Sequence, residues 1–482
     1  MSKANARGYA MFAKKMGNAR VKFLASVVMF CGGVTMLSSA VATDLNGGGA
    51  TLPAGAYVGW NFLNTSDPHY DPLHDRLTKN IQLFAGSLFG AGKGAANTVQ
   101  YCQTGSGAGK RVFDGDTSGI PPFSPTGVCG NFIDPSSTQG FSTPVSALVQ
   151  PDFAASDVPL ADSEYTLFLT NKPAKLAPVQ FPALVGSIAI AYHNSEADAL
   201  GITLNLSESA VCSIFSGAFT TWNQVDSRLS ADPIKVAYRS DGSGTSFNMT
   251  NHLAANCGLV APNPQFRANQ TFATAVASLP IASRISSNTN VLSSNGNPVE
   301  VSNVVANDFS IGYAEAANTL NHNFTTGLPS GSAVKFALVN GKDPIADMPG
   351  NYSVAATAMF PTPVVLDRII SSTQWNADGT AKLVTPTSSV PSGATGCMVL
   401  VDPSYYAKPG NTAQPNAYPI VAVTYLMAGH SGNSTDLPAL RALLSLPYSH
   451  PTGVVTIGSG TGFSFLTNST VTAIKVVQCT AA

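Results

Sequence analysis

The chain has 482 residues, 25 basic and 26 acidic side chains, and only 11% charged residues, with a mean hydropathy of +0.13. That balance excludes a disordered chain, and the scattered basic residues exclude the concentrated positive charge that nucleic-acid binding requires. Six of the basic residues and none of the acidic ones lie in the first 42, so the remainder carries a net charge of −7.

Residues 1–42 read as a secretory signal. Lys3, Arg7, Lys14, Lys15, Arg20 and Lys22 form a basic stretch, residues 23–37 are mostly apolar, and Ala40-Val41-Ala42 is a small-x-small cleavage pattern, with cutting expected after Ala42. No later stretch is long and apolar enough to span a bilayer, so a periplasmic or secreted product is expected. The remaining 440 or so residues exceed one comfortable core and suggest two lobes.

The chain then opens on Asn46-Gly47-Gly48-Gly49-Ala50-Thr51-Leu52-Pro53, where glycines permit close backbone approach and Pro53 suits a helix start. Asp67-Pro68-His69-Tyr70-Asp71-Pro72-Leu73-His74-Asp75 gathers two His and three Asp. A solvated loop is the reading there, and no metal is expected. Thr104-Gly105-Ser106-Gly107-Ala108-Gly109-Lys110 is a second Gly-rich turn. Thr104 in place of the first Gly, and Arg111 in place of a Ser or Thr, argue against a nucleotide P-loop. Ala155-Ser156-Asp157-Val158-Pro159-Leu160 puts one acid in an apolar context; alone, Asp157 reads as a cap or turn residue.

Residues 185–192 read as a buried strand, 207–215 as a helix, and 234–238 as a strand. That strand delivers Arg239-Ser240-Asp241-Gly242-Ser243-Gly244-Thr245 to a helical stretch at 248–254. A strand, a Gly/Ser/Thr turn and a helix N-terminus make an anion site: outward N–H groups, hydroxyls and the helix dipole all favour negative charge. Arg239 adds a fork suited to a tetrahedral oxyanion, and Asp241 is placed to hold it. A short helix at 272–278, strands at 310–314 and 418–425 and a helix at 436–446 complete an α/β pattern. Residues 98–155 and 373–416 read as long loops. No Gly-x-Ser-x-Gly elbow occurs, which makes serine-hydrolase chemistry a weak reading.

Beyond residue 42 six cysteines remain, an even number that in an exported chain points to disulfides. Six allow fifteen connectivities; pairing neighbours in sequence gives Cys102–Cys129, Cys212–Cys257 and Cys397–Cys479.

Together these segments resemble the phosphate-binding proteins that feed ABC transporters, and in particular their DING branch. Asp44-Leu45-Asn46-Gly47-Gly48-Gly49-Ala50-Thr51-Leu52-Pro53 differs from that branch's opening only by Leu for Ile. The turns at Ser106, at Asp157 and at 239–245 follow in the family's order, and residues 216–223 and 311–313 match further signatures. Two spacings, from Pro53 to Ser106 and from Ser106 to Asp157, are longer than the family's. Asp241-Gly242 stands where DING proteins carry Glu and a second Ser.

The resemblance implies a two-lobed periplasmic-binding-protein fold of type II with two hinge crossings. Lobe 1 would take 43–186 and 314–482, and lobe 2 would take 187–313. Every neighbour-paired disulfide then stays within one lobe. The resemblance also implies a monomeric solute-binding protein that holds inorganic phosphate for an ABC permease or for scavenging, without a cofactor. Its phosphate ligands would be Thr51, Leu52 (through its N–H), Ser106, Asp157, Arg239, Ser243, Gly244 and Thr245. Asp157 would select phosphate by accepting its proton, which sulfate lacks. The alternatives are a secreted phosphomonoesterase and an extracellular adhesion or matrix protein.

Overall fold

The computed structural model describes residues 43–64, 66, 83–93, 96–116, 151–258, 265–353, 364–386, 390–408, 414–467 and 473–482. The signal at 1–42, the His/Asp segment at 67–75 and Cys129 lie outside them.

The elements that position the site follow in chain order. Strand β1 (Thr43–Gly49) leads to helix α1 (Ala54–Val58), β2 (Ala96–Gln103) to α2 (Ser106–Asp114), and β3 (Phe153–Ser156) to α3 (Asp162–Asn171). Strand β4 (Pro178–His193) precedes α4 (Glu208–Ser216); β5 (Lys235–Arg239) leads to α5 (Gly244–Cys257), and β6 (Val291–Ser294) to α6 (Asn297–Ala306). After β7 (Ser310–Glu315) come a hairpin of β8 (Ile369–Trp375) and β9 (Ala381–Val384), then β10 (Val421–Gly429) and α7 (Leu437–Ser449).

These strands join one sheet in the order β2-β1-β3-β10-β4-β7-β5-β6, with the hairpin apart from it. β1 runs parallel to β2 and β3, and β5 parallel to β6 and β7, as βαβ units require. The two parallel groups are joined by β10 and β4, which are antiparallel to each other. β4 is buried along almost its whole length because Val179, Phe181, Leu184, Val185, Ile188 and Ile190 supply apolar side chains to both faces. Each such side chain stabilises the fold by roughly 1.5–3 kcal/mol. The strand changes partner midway: β10 pairs with Pro178 through Ser187, and β7 pairs with Ile188 through His193.

The helix ends follow local chemistry. Ser207 caps α4 by accepting from the Ala210 N–H, and α4 ends at Gly217, whose φ of 80° suits glycine. The bonds Cys212–Cys257, which ties α4 to the end of α5, and Cys397–Cys479 match neighbour pairing. Cys102 is also disulfide-bonded.

Three sequence expectations need correction. Residues 98–155 are not one long loop: their described parts hold β2, α2 and β3. Residues 373–416 include the end of β8, all of β9, a strand at Val399–Val401 and a short helix at Pro403–Tyr406. The hairpin's Ser371-Ser372-Thr373-Gln374 run is polar and interrupts the pairing, which holds at Ile369 and Ile370 and again at Trp375, and within β8 only Ile369 and Ile370 are buried. The helix at 272–278 is shorter, ending at Ala275.

Candidate functional site

Every strand of the two parallel groups that is followed by a helix N-terminus or a short turn delivers a polar residue from its carboxyl end, where open α/β sheets bind ligands. Thr51 and Leu52 follow β1, Ser106 follows β2 and starts α2, and Asp157 follows β3. From the other group, Arg239 ends β5, Ser243 to Thr245 open α5, and Asn297 opens α6 after β6. Thr51, Ser106, Asp157, Arg239, Ser243, Thr245 and Asn297 are all buried.

Arg239 is the positive centre. Its Nε donates to Asp241 Oδ1 at 2.6 Å, and Nη2 pairs with Asp241 Oδ2, which fixes the guanidinium plane as expected from sequence. Nη1 then points to Thr51 Oγ1 at 3.3 Å and Asn297 Oδ1 at 2.9 Å. Burial works against the guanidinium's charge, but the attraction of Asp241 outweighs it, and the pKa of Arg239 lies above its ordinary value. Thr51 accepts from Arg239 and keeps its own hydroxyl proton for another acceptor.

Asp157 is the negative counterpart. Ser106 Oγ donates to its Oδ2 at 3.1 Å, and the Asp157 N–H donates back to Ser106 Oγ at 3.1 Å. Oδ1 is buried without a hydrogen-bond partner. Burial raises the Asp157 pKa from 3.8 to about 7, against the opposing pull of Ser106 and Arg239. A carboxyl there is balanced between its two forms near neutral pH, suited to share a proton with a ligand.

The two groups of strands meet at main-chain distance. The Gly107 N–H donates to the Gly242 carbonyl at 2.8 Å, and Asn248 Nδ2 donates to the Asp157 carbonyl at 2.7 Å. A Cβ on Gly244 would stand 2.4 Å from both Asp157 Oδ2 and Ser106 Oγ, so only glycine admits this approach. Ser243 caps α5, its Oγ accepting from the Ser246 N–H at 3.0 Å. Thr245 Oγ1 donates to Asn297 Oδ1 at 3.2 Å.

The structure thus gathers Arg239 and Thr245 around the Asn297 amide, with Thr51 on Arg239, and Ser106 and Gly244 around the Asp157 carboxyl. Leu52 sits beside Thr51 with its side chain buried. Lys110, from the P-loop-like turn, pairs with Glu164 at 2.8 Å. His252 pairs with Glu208 at 2.9 Å. Among the described residues no group of three or more His, Cys, Asp and Glu is placed to hold a metal ion.

Sequence reasoning missed Asn297. The signal was available: β6 runs into Ser294-Asn295-Gly296-Asn297-Pro298 and a helix, the strand–turn–helix pattern already recognised at Arg239. It also missed Glu300, one turn further along α6 and buried, whose pKa burial raises from 4.5 to about 8.

Residues 85–442 match a family model described as the PBP superfamily domain. Alkaline phosphatase L of Pseudomonas aeruginosa is 28% identical over 336 residues, covering 70% of each chain. Phosphate-binding protein PstS 3 of Mycobacterium tuberculosis is 28% identical over 246 residues, covering 48% of this chain and 54% of that one. The chain therefore spans about half the length of that second relative. Among solved structures, a high affinity periplasmic phosphate-binding protein (PfluDING) bound with phosphate aligns over 90% of this chain and 92% of its own. Its TM-score is 0.54 at 21% identity. The likeness shows the fold: mixed α/β and two-lobed.

Proposed function

The chain belongs to the PBP superfamily, and from that premise we propose that it is an exported solute-binding protein that holds inorganic phosphate between its lobes. The observation that carries the reading is the pairing of one buried guanidinium with one buried carboxyl whose Oδ1 has no partner. A fully deprotonated anion satisfies Arg239 but is repelled by Asp157; an anion with both charge and a proton satisfies both. Hydrogen phosphate meets that requirement near neutral pH. The names of PstS 3 and PfluDING agree with it.

The ligands would be Thr51, the Leu52 N–H, Ser106, Asp157, Arg239, Ser243, the Gly244 N–H and Thr245. The lobes would be 43–186 with 314–482, and 187–313; the change of partner along β4 between Ser187 and Ile188 supports that boundary. Cys212–Cys257 and Cys397–Cys479 then each stay inside one lobe and leave the hinge free. Monomeric delivery to an ABC permease is the role we assign to the loaded protein.

Isothermal titration of anion-free protein with phosphate tests the reading. Arg239→Ala removes the only guanidinium in the network and is expected to abolish detectable heat. Near-wild-type affinity in that variant would place the site elsewhere. Phosphomonoester hydrolysis in the same cleft, the activity in the name of Alkaline phosphatase L, is the alternative that the phosphate-binding relatives do not favour. Turnover of p-nitrophenyl phosphate by the same sample, lost in Arg239→Ala, would establish it.

A further inference from the structure

Asn297 occupies the first position of α6, fully buried between the guanidinium of Arg239 and the hydroxyl of Thr245. Both of those groups donate to its Oδ1, at 2.9 and 3.2 Å. A guanidinium has donors only, so the amide must turn its oxygen toward Arg239; the opposite flip would set N–H against N–H. The orientation of this amide is therefore fixed by chemistry. Its Nδ2, with two N–H bonds, is left buried with no acceptor in the protein. Native structures seldom leave such a donor unpaired.

Glu300, one turn further along α6, does not take it: its Oε1 accepts from the Tyr313 N–H at 3.4 Å, and its buried Oε2 makes no hydrogen bond to Nδ2. Asp241 is committed to Arg239, and its Oδ1 also accepts from the Gly296 N–H at 3.4 Å. Thr245 gives its hydroxyl proton to Asn297 and so meets a ligand with lone pairs, which removes one donor from the cleft. Asn297 returns that donor through Nδ2.

We propose that Asn297 is a further ligand of the bound anion, its Nδ2 donating to an anion oxygen while its Oδ1 sets the directions of Arg239 and Thr245. The inference rests on the phosphate reading above. One side chain thereby couples the positive centre, the α5 turn and the anion, and does so with an orientation the guanidinium enforces.

Two substitutions separate the ligand role from positioning alone. Asn297→Ala removes both atoms' functions. Asn297→Asp keeps an acceptor for Arg239 and Thr245 but replaces the donor by lone pairs. Titration with inorganic phosphate is expected to give Ala about 10- to 100-fold weaker than wild type, the range of one hydrogen bond to a charged group. Asp is expected to be weaker still. Wild-type-like binding by Asp with weak binding by Ala would overturn the proposal, leaving Asn297 a support for Arg239. Ala within about threefold of wild type would also overturn it, that factor being well below one hydrogen bond. Thermal unfolding without phosphate checks that each variant is folded. A crystal structure of the wild-type phosphate complex gives a result independent of the variants. Nδ2 within about 3.2 Å of a phosphate oxygen supports the proposal, and a separation beyond hydrogen-bond range overturns it. Wild-type protein that binds no phosphate would overturn the functional reading itself, and this one with it.

Discussion

Asp157→Asn is the change that most directly probes how an anion is chosen. In the wild-type protein the carboxyl is buried, Oδ2 is held by Ser106, and Oδ1 faces no protein donor. Its pKa rises from 3.8 to about 7 through burial. At 1.36 kcal/mol per unit, holding the charged form there costs on the order of 4 kcal/mol. A ligand that brings its own proton relieves this by sharing it with Oδ1, through a charge-assisted bond of about 1.5–3 kcal/mol. A ligand without a proton meets the carboxylate's charge instead. Asn is nearly isosteric but neutral, and its amide offers donors. Phosphate is expected to bind roughly 10- to 100-fold more weakly, at about 1.4 kcal/mol per decade. Sulfate is expected to bind more tightly above the folded pKa of about 7, where the wild-type carboxyl is charged, so that the preference for phosphate narrows there. Paired calorimetric titrations with both anions above that pKa measure the ratio. A preference unchanged within about threefold, much less than one such bond, would refute the proton-sharing argument. The same variant carries a stability signature. Without ligand it should match wild type below about pH 4, where the carboxyl is protonated in both states, and exceed it above the folded pKa of about 7.

Three further outcomes follow from the same geometry. Gly244→Ala would drive a Cβ into Asp157 and Ser106, each 2.4 Å away, and so hold the two walls apart; phosphate affinity should fall by about two decades, the scale of overpacking at 1–3 kcal/mol, while small-angle scattering with phosphate reports a more open particle. Asp241→Ala leaves Arg239 charged but unfixed, and titration should show weakening by about one to two decades, short of the loss in Arg239→Ala. Glu300 and Asp157 titrate at about 8 and 7 in the folded chain. The folded state therefore keeps protons that the unfolded state has lost. Their contribution to stability is full below about pH 4, declines as pH rises, and is gone above about 8. Urea midpoints in phosphate-free buffer should show this slope, and Glu300→Gln should flatten it; a slope unchanged by Glu300→Gln would count against the assignment.

How far the sequence could be read depended on whether the chemistry was local. Arg239 through Thr245 was legible because strand, turn and helix start are contiguous, and charge, glycine and hydroxyls occur together. Cys212–Cys257 and Cys397–Cys479 were legible as neighbours. Asp157 carried no local signal; its importance comes from Ser106, about fifty residues earlier, and from Gly244, which closes on it across the sheet. Asn297 was hidden for a similar reason, since an Asn before a Pro reads as a helix start until Arg239 is seen beside it. The hairpin at 369–384 was hidden by polarity. Ser371 and Ser372 belong to a strand whose stability lies in backbone pairing and in anchors elsewhere: Ile370 N–H to the Leu160 carbonyl at 3.1 Å, and Trp375 Nε1 to the Ala268 carbonyl at 2.8 Å.

The position of β10 bears on how the chain can fold. This strand is drawn from residues 421–429 yet lies between β3 and β4, which end and begin within 22 residues of each other near the start. Until it arrives, the first parallel group has no hydrogen-bonded route through the sheet to the second. A chain emerging from its N-terminus therefore carries two unsealed sheet edges through most of its synthesis. Closure is a late, long-range step, and steps of that kind are slow and expose unpaired backbone. Truncation before residue 421 is then expected to yield aggregation rather than a smaller binding protein, because the missing piece is the strand that makes two half-sheets one.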